Sequence, residues 1–283
     1  MIMKIAKALV RATRTPGWFY PALLGLALLF LLPLAWMVST ALGPAESFYA
    51  SPPQWLPSRI TLENFQKAWK LLDVPQLFAN SFLITTLTVF GSLISSPLVG
   101  FAFATLPARG KNLLFSVLLG SIMVPASVTL LPLFILFSKL GWIDTFLPLI
   151  VPHFFANAFY VFLFRQFFRS LPPDFFESAE LDGCNPLMAY WYIALPLCRP
   201  ALASVAVFAF IGAWNDYLGP LIYLNRTANY TVSLGLGQFQ GIYYTQFQYL
   251  IPMSLVALLP VLAIFLIAQR QIVQSIVTTG IKG

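Results

Sequence analysis

The chain has 283 residues, of which 59% are hydrophobic and 9% are charged, and its mean hydropathy is +0.82. This composition leaves too little polar surface to cover a water-soluble globule of that size. The formal net charge is +7, but the basic residues are spread over many short segments and form no continuous stripe. The sequence therefore excludes a soluble domain, gives no support for nucleic-acid binding, and indicates a protein embedded in a lipid bilayer.

Apolar windows of about 20 residues, the length that crosses roughly 30 Å of hydrocarbon, recur along the chain. None of them shows the two-residue alternation of a membrane-spanning strand, so we expect an all-α membrane protein. The windows predict six transmembrane helices, at about residues 18–42, 76–104, 112–138, 145–168, 199–224 and 250–270. A further apolar stretch, residues 183–198, is short and contains two prolines, so it is not counted as a span.

The basic residues predict the orientation. With six spans and a cytoplasmic N-terminus, 11 of the 16 Lys and Arg residues fall on inside segments and 5 fall on outside segments. This bias follows the positive-inside rule and predicts a multi-pass protein of the cell (inner) membrane with both termini in the cytoplasm. Residues 1–17 form a basic segment, either an amphipathic helix on the inner leaflet or a frayed terminus. Residues 18–270 form the transmembrane domain, and residues 271–283 form a cytoplasmic tail.

Polar side chains within the predicted spans mark either helix contacts or a water-filled path. The chain has a single histidine in the fourth span and a single carboxylate within the fifth, and amide and aromatic side chains lie near both. Such a set suits a neutral, hydroxylated solute. The candidate pathway residues are His153, Asn157, Trp214, Asn215 and Asp216. A hydrogen-bonded packing role is the alternative for His153.

Catalytic and metal-binding patterns are missing from the sequence. The phosphate-binding pattern G-x-x-x-x-G-K-[ST] does not occur. Two cysteines, Cys184 and Cys198, and one histidine are too few for a zinc site, and both cysteines fall on the inner side of the predicted topology. We therefore expect this chain to hold no metal, no cofactor and no catalytic residues.

The loop between the fourth and fifth spans, residues 170–198, holds four of the nine acidic residues. Connections longer than about 12–15 residues are usually functional or disordered. Pro172-Pro173 are expected to end the preceding helix. Asp174 lies three residues before Glu177, which is the spacing of a capping box. Gly183 then falls where a left-handed residue closes a short helix.

A second short helix is predicted directly after that turn. Asn185-Pro186 combines a capping residue with proline at the first helical position, and Pro196 is expected to end the helix. The 170–198 loop is thus predicted to be two short helices joined by a sharp turn. An ordinary connection between two spans is the alternative.

The segment Glu177-Ser178-Ala179-Glu180-Leu181-Asp182-Gly183, followed after nine residues by Ile193-Ala194-Leu195-Pro196, resembles the E-A-A-x-x-x-G-x9-I-x-L-P signature of ABC importer membrane subunits. Ser178 replaces the usual first alanine. Other segments, such as Met123-Val124-Pro125 and Trp214-Asn215-Asp216-Tyr217, are similar to the carbohydrate-type permeases, the branch of the maltose and glycerol-3-phosphate permeases.

This resemblance implies a type I ABC importer permease fold with a cytoplasmic coupling helix in the 170–198 loop. It implies a non-enzymatic subunit that works with a second permease in a heterodimer, two ABC ATPase subunits that bind ATP and Mg²⁺, and an external solute-binding protein. The solute would be a sugar or a sugar-like compound. The residues that would couple to the ATPases are Glu177, Ser178, Ala179, Asp182, Gly183, Ile193, Leu195 and Pro196.

Two other classes of function stay open. A self-sufficient secondary transporter of a small polar solute would show internal inverted repeats and buried charge. A membrane-embedded enzyme would show clustered His, Asp or Glu at the membrane face. The sequence leaves the solute undetermined among disaccharides, oligosaccharides, glycosylated osmolytes and glycerol-phosphate compounds.

Overall fold

The computed structural model describes residues 18–49, 54–241 and 244–280, with side chains given through Gln269. The predicted N-terminal segment, residues 1–17, lies outside the described residues. The described part of the chain is almost entirely helical. Its α-helices are α1 Phe19–Ala41, α2 Glu63–Leu71, α3 Val74–Thr105, α4 Lys111–Ile122, α5 Ala126–Lys139, α6 Leu147–Ile150, α7 Ala158–Arg169, α8 Asp174–Leu181, α9 Pro186–Leu197, α10 Arg199–Trp214, α11 Leu218–Tyr223, α12 Val232–Gly237 and α13 Phe247–Gly280. Short 3₁₀ helices cover Ala45–Tyr49, Val151–Phe155 and Thr227–Asn229.

Among the described residues, four helical segments are long and apolar enough to cross a membrane: α1, α3, α13 and the run from α6 through α7. The total reaches six if two bent pairs, α4 with α5 and α9 with α10, each count as one span. The all-α membrane class is therefore confirmed. The last helix continues to Gly280 and so extends beyond the predicted boundary at residue 270.

The prediction of one continuous third span over residues 112–138 is wrong. Helix α4 ends at Ile122, and α5 leaves it at an angle of 96°. Pro125 begins α5 with an extended backbone, φ −60° and ψ 135°. Proline disfavours α geometry in the residue before it and has no backbone N–H to continue the helical ladder. The break between α4 and α5 follows from that residue.

The fifth span, predicted as residues 199–224, ends ten residues early, at Trp214. The next three residues are not helical, and α11 then begins a new short helix. Asp216 Oδ1 accepts a hydrogen bond from the backbone N–H of Gly219 at 3.1 Å. Such local side-chain bonds give the backbone an alternative to continuing the helix.

The fourth span is interrupted between α6 and α7. Val151–Phe155 is a 3₁₀ helix, and Ala156 has a positive φ of 60°. The Ser95 hydroxyl of α3 bridges this break: it accepts from the N–H of Ala156 at 3.1 Å and shares its hydrogen between the carbonyls of Gly91 at 2.8 Å and His153 at 3.2 Å. Backbone groups that leave a helix within a membrane need such partners. Ser95 supplies them.

The chain divides into two compact units, residues 1–71 with 243–255 and residues 72–242 with 256–283. In the first unit, hydrogen bonds tie the chain around α2 to the end of α1. The buried Asn64 donates through Nδ2 to the carbonyl of Gly43 at 2.8 Å. The backbone N–H of Thr61 donates to the carbonyl of Leu42, also at 2.8 Å.

Helix α3 is the centre of the second unit and packs most extensively against α7 and α10. Its contact with α7 is close at Gly100, where an added Cβ would meet the Cβ of Phe164 at 2.6 Å. Small hydroxyl residues recur at helical spacing along the buried side of α3. They are Ser81, Thr85, Thr88, Ser92 and Ser96. Small side chains let helix backbones approach closely in a membrane.

Two apolar clusters lie at opposite ends of the second unit. One cluster joins Phe101, Phe164, Phe168, Tyr190 and Val205. The other joins Ile84, Phe137, Leu149, Tyr223 and Leu234. Roughly 25 Å of helix separates the two clusters along α3, at 1.5 Å per residue. Helices α3 and α7 therefore end at the first cluster, and α10 begins there. We call this end of the second unit the loop end, because the 170–198 loop lies there. The opposite end is called the far end.

At the far end, a carboxylate links two connecting segments: the one between α5 and α6 and the one between α11 and α12. Asp144 follows α5, and its Oδ1 accepts from the backbone N–H groups of Asn225 and Arg226 and from Nδ2 of Asn229, each at 3.0 Å. The Arg226 guanidinium pairs with the other carboxylate oxygen. These hydrogen bonds hold the pKa of Asp144 well below its usual range. The bonds from the backbone N–H groups of Arg226 and Asn225 have the largest effect, and the bonds from the Asn229 and Arg226 side chains add to it.

We expect Asp144→Ala to destabilise the protein more than Arg226→Ala does. The first change removes the acceptor of four donor groups, whereas the second removes only one exposed partner. Because the folded pKa is depressed, the stabilisation is complete above the unfolded value of about 4 and is lost as the pH falls through the folded value. Thermal unfolding of purified protein measures the difference in stability between wild type and Asp144→Asn. This stability difference should be constant above about pH 5 and should shrink below about pH 4. A difference that is constant down to acid pH would contradict this account.

Candidate functional site

The first helix of the 170–198 loop begins differently from the prediction. Pro173 is the capping residue of α8, and no side chain caps the helix. Pro173 already has helical angles, and its carbonyl accepts from the N–H of Phe176 at 2.8 Å. Asp174 is therefore the first helical residue, and the predicted capping box between Asp174 and Glu177 is wrong. Both carboxylates still lie in the first turn, where the helix dipole favours negative charge.

The turn at Gly183 is confirmed. Gly183 has φ +83°, its N–H donates to the carbonyl of Glu180 at 3.0 Å, and the N–H of Cys184 donates to the carbonyl of Ala179 at 2.9 Å. These two bonds define a Schellman motif, in which a left-handed residue closes a helix. Asn185 then caps α9, as predicted, because its Oδ1 accepts from the N–H of Met188 at 2.8 Å.

Helix α9 continues to Leu197, so Pro196 lies in its last turn and does not end it. The segment Tyr190–Ala194 of α9 is π-helical. Tyr190 and Ala194 are buried in the loop-end cluster, and α10 leaves α9 at 77°. Of the predicted coupling residues in this helix, Ile193 and Leu195 are half-buried and Pro196 is exposed.

Helix α8 presents an acidic surface to solvent. Glu177, Ser178 and Asp182 are exposed, whereas Ala179 is buried and packs the helix against the rest of the second unit. No ion pair engages the four carboxylates of α8 and its C-cap within the part of the chain that the structure describes. Leu181 is 89% exposed and was not among the residues predicted from the sequence. The sequence feature that could have identified Leu181 is an apolar residue within a charged segment.

A cavity of about 150 Å³ lies within the second unit. His153 and Asp216, predicted from separate spans, both line it. Thr231, which the sequence analysis missed, adds a hydroxyl, and Ile84 and Leu149 supply apolar walls. The lining of the cavity thus combines polar and apolar groups, as the lining of a site for a hydroxylated solute would.

The other three predicted pathway residues do not line this cavity. Asn157 is exposed and caps α7, where its Oδ1 accepts from the N–H groups of Phe159 at 2.9 Å and Tyr160 at 3.3 Å. Asn215 is exposed, and its Nδ2 donates to the carbonyl of Ile211 at 3.0 Å.

Trp214 is only 2% exposed. Its Nε1 donates to the carbonyl of Ala257 at 3.0 Å, and its ring stacks on Phe210 at a centroid distance of 5.7 Å. These contacts are those of a side chain that packs in the protein interior. A pathway role for Trp214 stays a prediction.

Comparison with known proteins gives one family and several relatives. Residues 96–276 match the family model described as "Binding-protein-dependent transport system inner membrane component". The arabinooligosaccharides transport system permease protein AraQ of Halalkalibacterium halodurans is 32% identical over 80% of this chain and 81% of its own length. The diacetylchitobiose uptake system permease protein NgcG of Streptomyces coelicolor is 27% identical over 96% of this chain and 91% of its own length.

Two solved structures share the fold. A chain of a bacterial ABC transporter that imports the acidic polysaccharide alginate superposes with a TM-score of 0.76, at 23% identity, over 90% of this chain and 95% of that chain. A second structure, of a bacterial alginate ABC transporter in complex with an alginate pentasaccharide-bound periplasmic protein, gives a TM-score of 0.65 at 15% identity. It covers 89% of this chain and 92% of that chain.

We expect Gly183→Ala to loosen the turn between α8 and α9. No atom lies within 4 Å of an added Cβ, so the cost is purely that of a left-handed backbone, about 1–2 kcal/mol. Hydrogen exchange at the amide of Cys184 should then be roughly 5- to 30-fold faster than in wild type. Asn tolerates this backbone better, so Gly183→Asn should exchange more slowly than Gly183→Ala. Equal rates in wild type and Gly183→Ala would show that the turn is not held in this geometry.

Proposed function

Since this chain belongs to the family of binding-protein-dependent transport system inner membrane components, we propose that it is a permease subunit of an ATP-driven importer that carries a sugar or sugar-like solute across the inner membrane. The relatives named above are permeases for arabinooligosaccharides and diacetylchitobiose. Their names support a carbohydrate, and they differ too much from one another to select a particular sugar. Transport, and not chemical conversion, is the activity of the family.

The observation that carries the proposal is the exposed, acidic α8 on a rigid turn. Four carboxylates would be unfavourable on a helix within lipid, and none of them forms an ion pair with a basic residue in the described part of the chain. Such a surface fits a soluble subunit with basic and apolar groups. We assign ATPase coupling to α8 and its turn, with Glu177 and Asp182 as ion-pairing groups, Ser178 and Ala179 on the same helix, and Gly183 at the bend. Ile193, Leu195 and Pro196 belong to the α9 support.

The proposal includes partners and an orientation. We infer two ATPase subunits that bind ATP and Mg²⁺, a second permease subunit in a heterodimer, and an external solute-binding protein. A solved structure of the same fold contains a bound periplasmic protein, which supports the last of these. The charge distribution supports cytoplasmic termini and a loop end on the cytoplasmic side.

The cavity between His153 and Asp216 supports a partial solute path. Its volume of about 150 Å³ is below the roughly 300 Å³ at which ligand pockets begin. One chain therefore encloses less than a complete sugar site, and a second permease would supply the rest. We propose that His153 and Asp216 contribute polar contacts from this chain, and that Asn157 and Asn215, both exposed, face the shared path.

We expect Glu177→Lys to abolish coupling without affecting insertion. Charge reversal places a cation opposite the basic groups of the ATPase, which repels the partner. In reconstituted complexes, solute-stimulated ATP hydrolysis and uptake should both fall by about tenfold or more, at an unchanged amount of permease in the membrane. Glu180→Lys is the matched control, since it makes the same charge change on the same exposed helix. Its effect should be smaller. Normal stimulation in Glu177→Lys would refute the coupling assignment.

We expect Asp216→Asn and His153→Ala to lower uptake or to shift the preference among sugars, with normal assembly of the complex. Asparagine keeps an oxygen that accepts from Gly219, so the backbone break is preserved in Asp216→Asn. Trp214→Ala should behave differently and reduce the amount of folded permease, because truncating a buried aromatic costs about 3–5 kcal/mol. The measurements are uptake into proteoliposomes and the yield of intact complex. Unchanged uptake in both cavity variants would assign the cavity to packing alone.

A further inference from the structure

Helix α9 has a composition that coupling to an ATPase does not explain. Residues 184–198 contain no charged side chain, although the preceding helix is acidic. The twelve residues of α9, Pro186–Leu197, extend about 18 Å, which is too short to cross roughly 30 Å of hydrocarbon. An apolar helix of this length needs another environment for its surface.

Only one side of α9 is covered by protein. Tyr190, Ala194 and the neighbouring Cys198 are buried in the loop-end cluster. The opposite side exposes apolar and aromatic groups, with Trp191 at 54% and Tyr192 at 78% exposure. Leu187 and Met188 are exposed on the same side, at 57% and 47%. Nothing else in the described chain covers this surface.

The two ends of α9 fix its depth. At its start, residues 182–185 have non-helical backbone and include Asp182 and Asn185, and such a segment stays in water or in contact with protein. At its other end, the exposed Arg199 begins α10, and arginine at the end of a span reaches the headgroup region. The axis between these two points turns by 77° from α10. A helix with both ends near water and an axis transverse to the span lies along the membrane surface.

We propose that α9 is an interfacial helix whose exposed side, Leu187, Met188, Trp191 and Tyr192, rests in the lipid headgroup zone. Tryptophan and tyrosine favour this zone because each combines an apolar ring with a polar N–H or O–H tip. The lack of charge on this side distinguishes it from α8, so the occupant is lipid and not the ATPase. Contact with lipid holds α9 in the membrane plane and thereby fixes the level at which α8 meets its partner. Placement in the inner leaflet rests on the proposed orientation, whereas the lipid contact itself does not.

Position-specific quenching tests this proposal. An environment-sensitive fluorophore is attached to Tyr192→Cys in the assembled importer in lipid nanodiscs, with Cys184→Ser and Cys198→Ala as the background. Quenching is measured with aqueous iodide and with lipids that carry bromine either near the headgroup or near the chain end. The label at position 192 should be quenched most by bromine near the headgroup. Leu181→Cys, on α8, is the matched control and should show no quenching by either brominated lipid.

Every other pattern at position 192 overturns the proposal. Quenching by iodide alone would place the side of α9 in water. Quenching by none of the three agents would place it under protein, as ATPase contact requires. Stronger quenching from the chain end would place it in the hydrocarbon core. ATP hydrolysis of the labelled complex is recorded in parallel, so that a failed lipid contact is distinguished from a failed coupling assignment.

A pair of charge variants gives a second measurement. Lysine reaches the headgroup zone through its long apolar stem, and anionic lipids attract it. We expect Tyr192→Lys to keep the amount of folded permease within about twofold of wild type in anionic membranes, and Tyr192→Glu to lower it by at least fivefold. Equal tolerance of both charges, loss of both variants, or better tolerance of glutamate would overturn the lipid contact.

Discussion

The close packing of α3 against α7 and α10 is the constraint on which the second unit depends. Lipid gives no driving force for helix association comparable to water, so contact area and polar bonds must provide it. Gly100 and the row of small hydroxyl residues allow the helices to approach. Some of these hydroxyls also serve as partners: Thr88 donates to the carbonyl of Leu149 at 3.3 Å, and Ser81 accepts from the N–H of Val232 at 2.8 Å. One helix thereby fixes the breaks and loops around it.

Breaks within the spans occur where side chains satisfy the exposed backbone. The interruption before α7 depends on Ser95 of α3, and the interruption after α10 depends on the carboxylate of Asp216. Both breaks border the cavity that His153 and Asp216 line. Irregular backbone at membrane depth is tolerated where protein or water meets it. The same two side chains that stabilise the breaks therefore help to place polar groups at this cavity, which under the proposed function belongs to the solute path.

The 170–198 loop consists of two short helices, α8 and α9, that are held in a fixed arrangement. The Schellman turn at Gly183 fixes α8 relative to α9, and burial of Tyr190 and Ala194 fixes α9 against the spans. Each joint of the loop is hydrogen-bonded or packed, so the arrangement suits the transfer of a displacement from α8 to α10. Under the proposed function, movement of an ATPase becomes rigid-body movement of the spans, as alternating access requires.

The sequence by itself determined the features that depend on local composition. Hydropathy predicted the all-α membrane class and the approximate positions of the apolar segments. Glycine at position 183 and asparagine before Pro186 set the turn and the cap, because neighbours in sequence supply those interactions. The capping box failed because Pro173 had already begun the helix. Tertiary structure decided the rest. Asp144 and Arg226 are 82 residues apart. The burial of Trp214 and the position of His153 and Asp216 around one cavity likewise depend on contacts between residues that are distant in sequence. Side-chain burial in a membrane protein reflects which helices are neighbours, and a hydrophobic span has the same composition whether it faces lipid or protein.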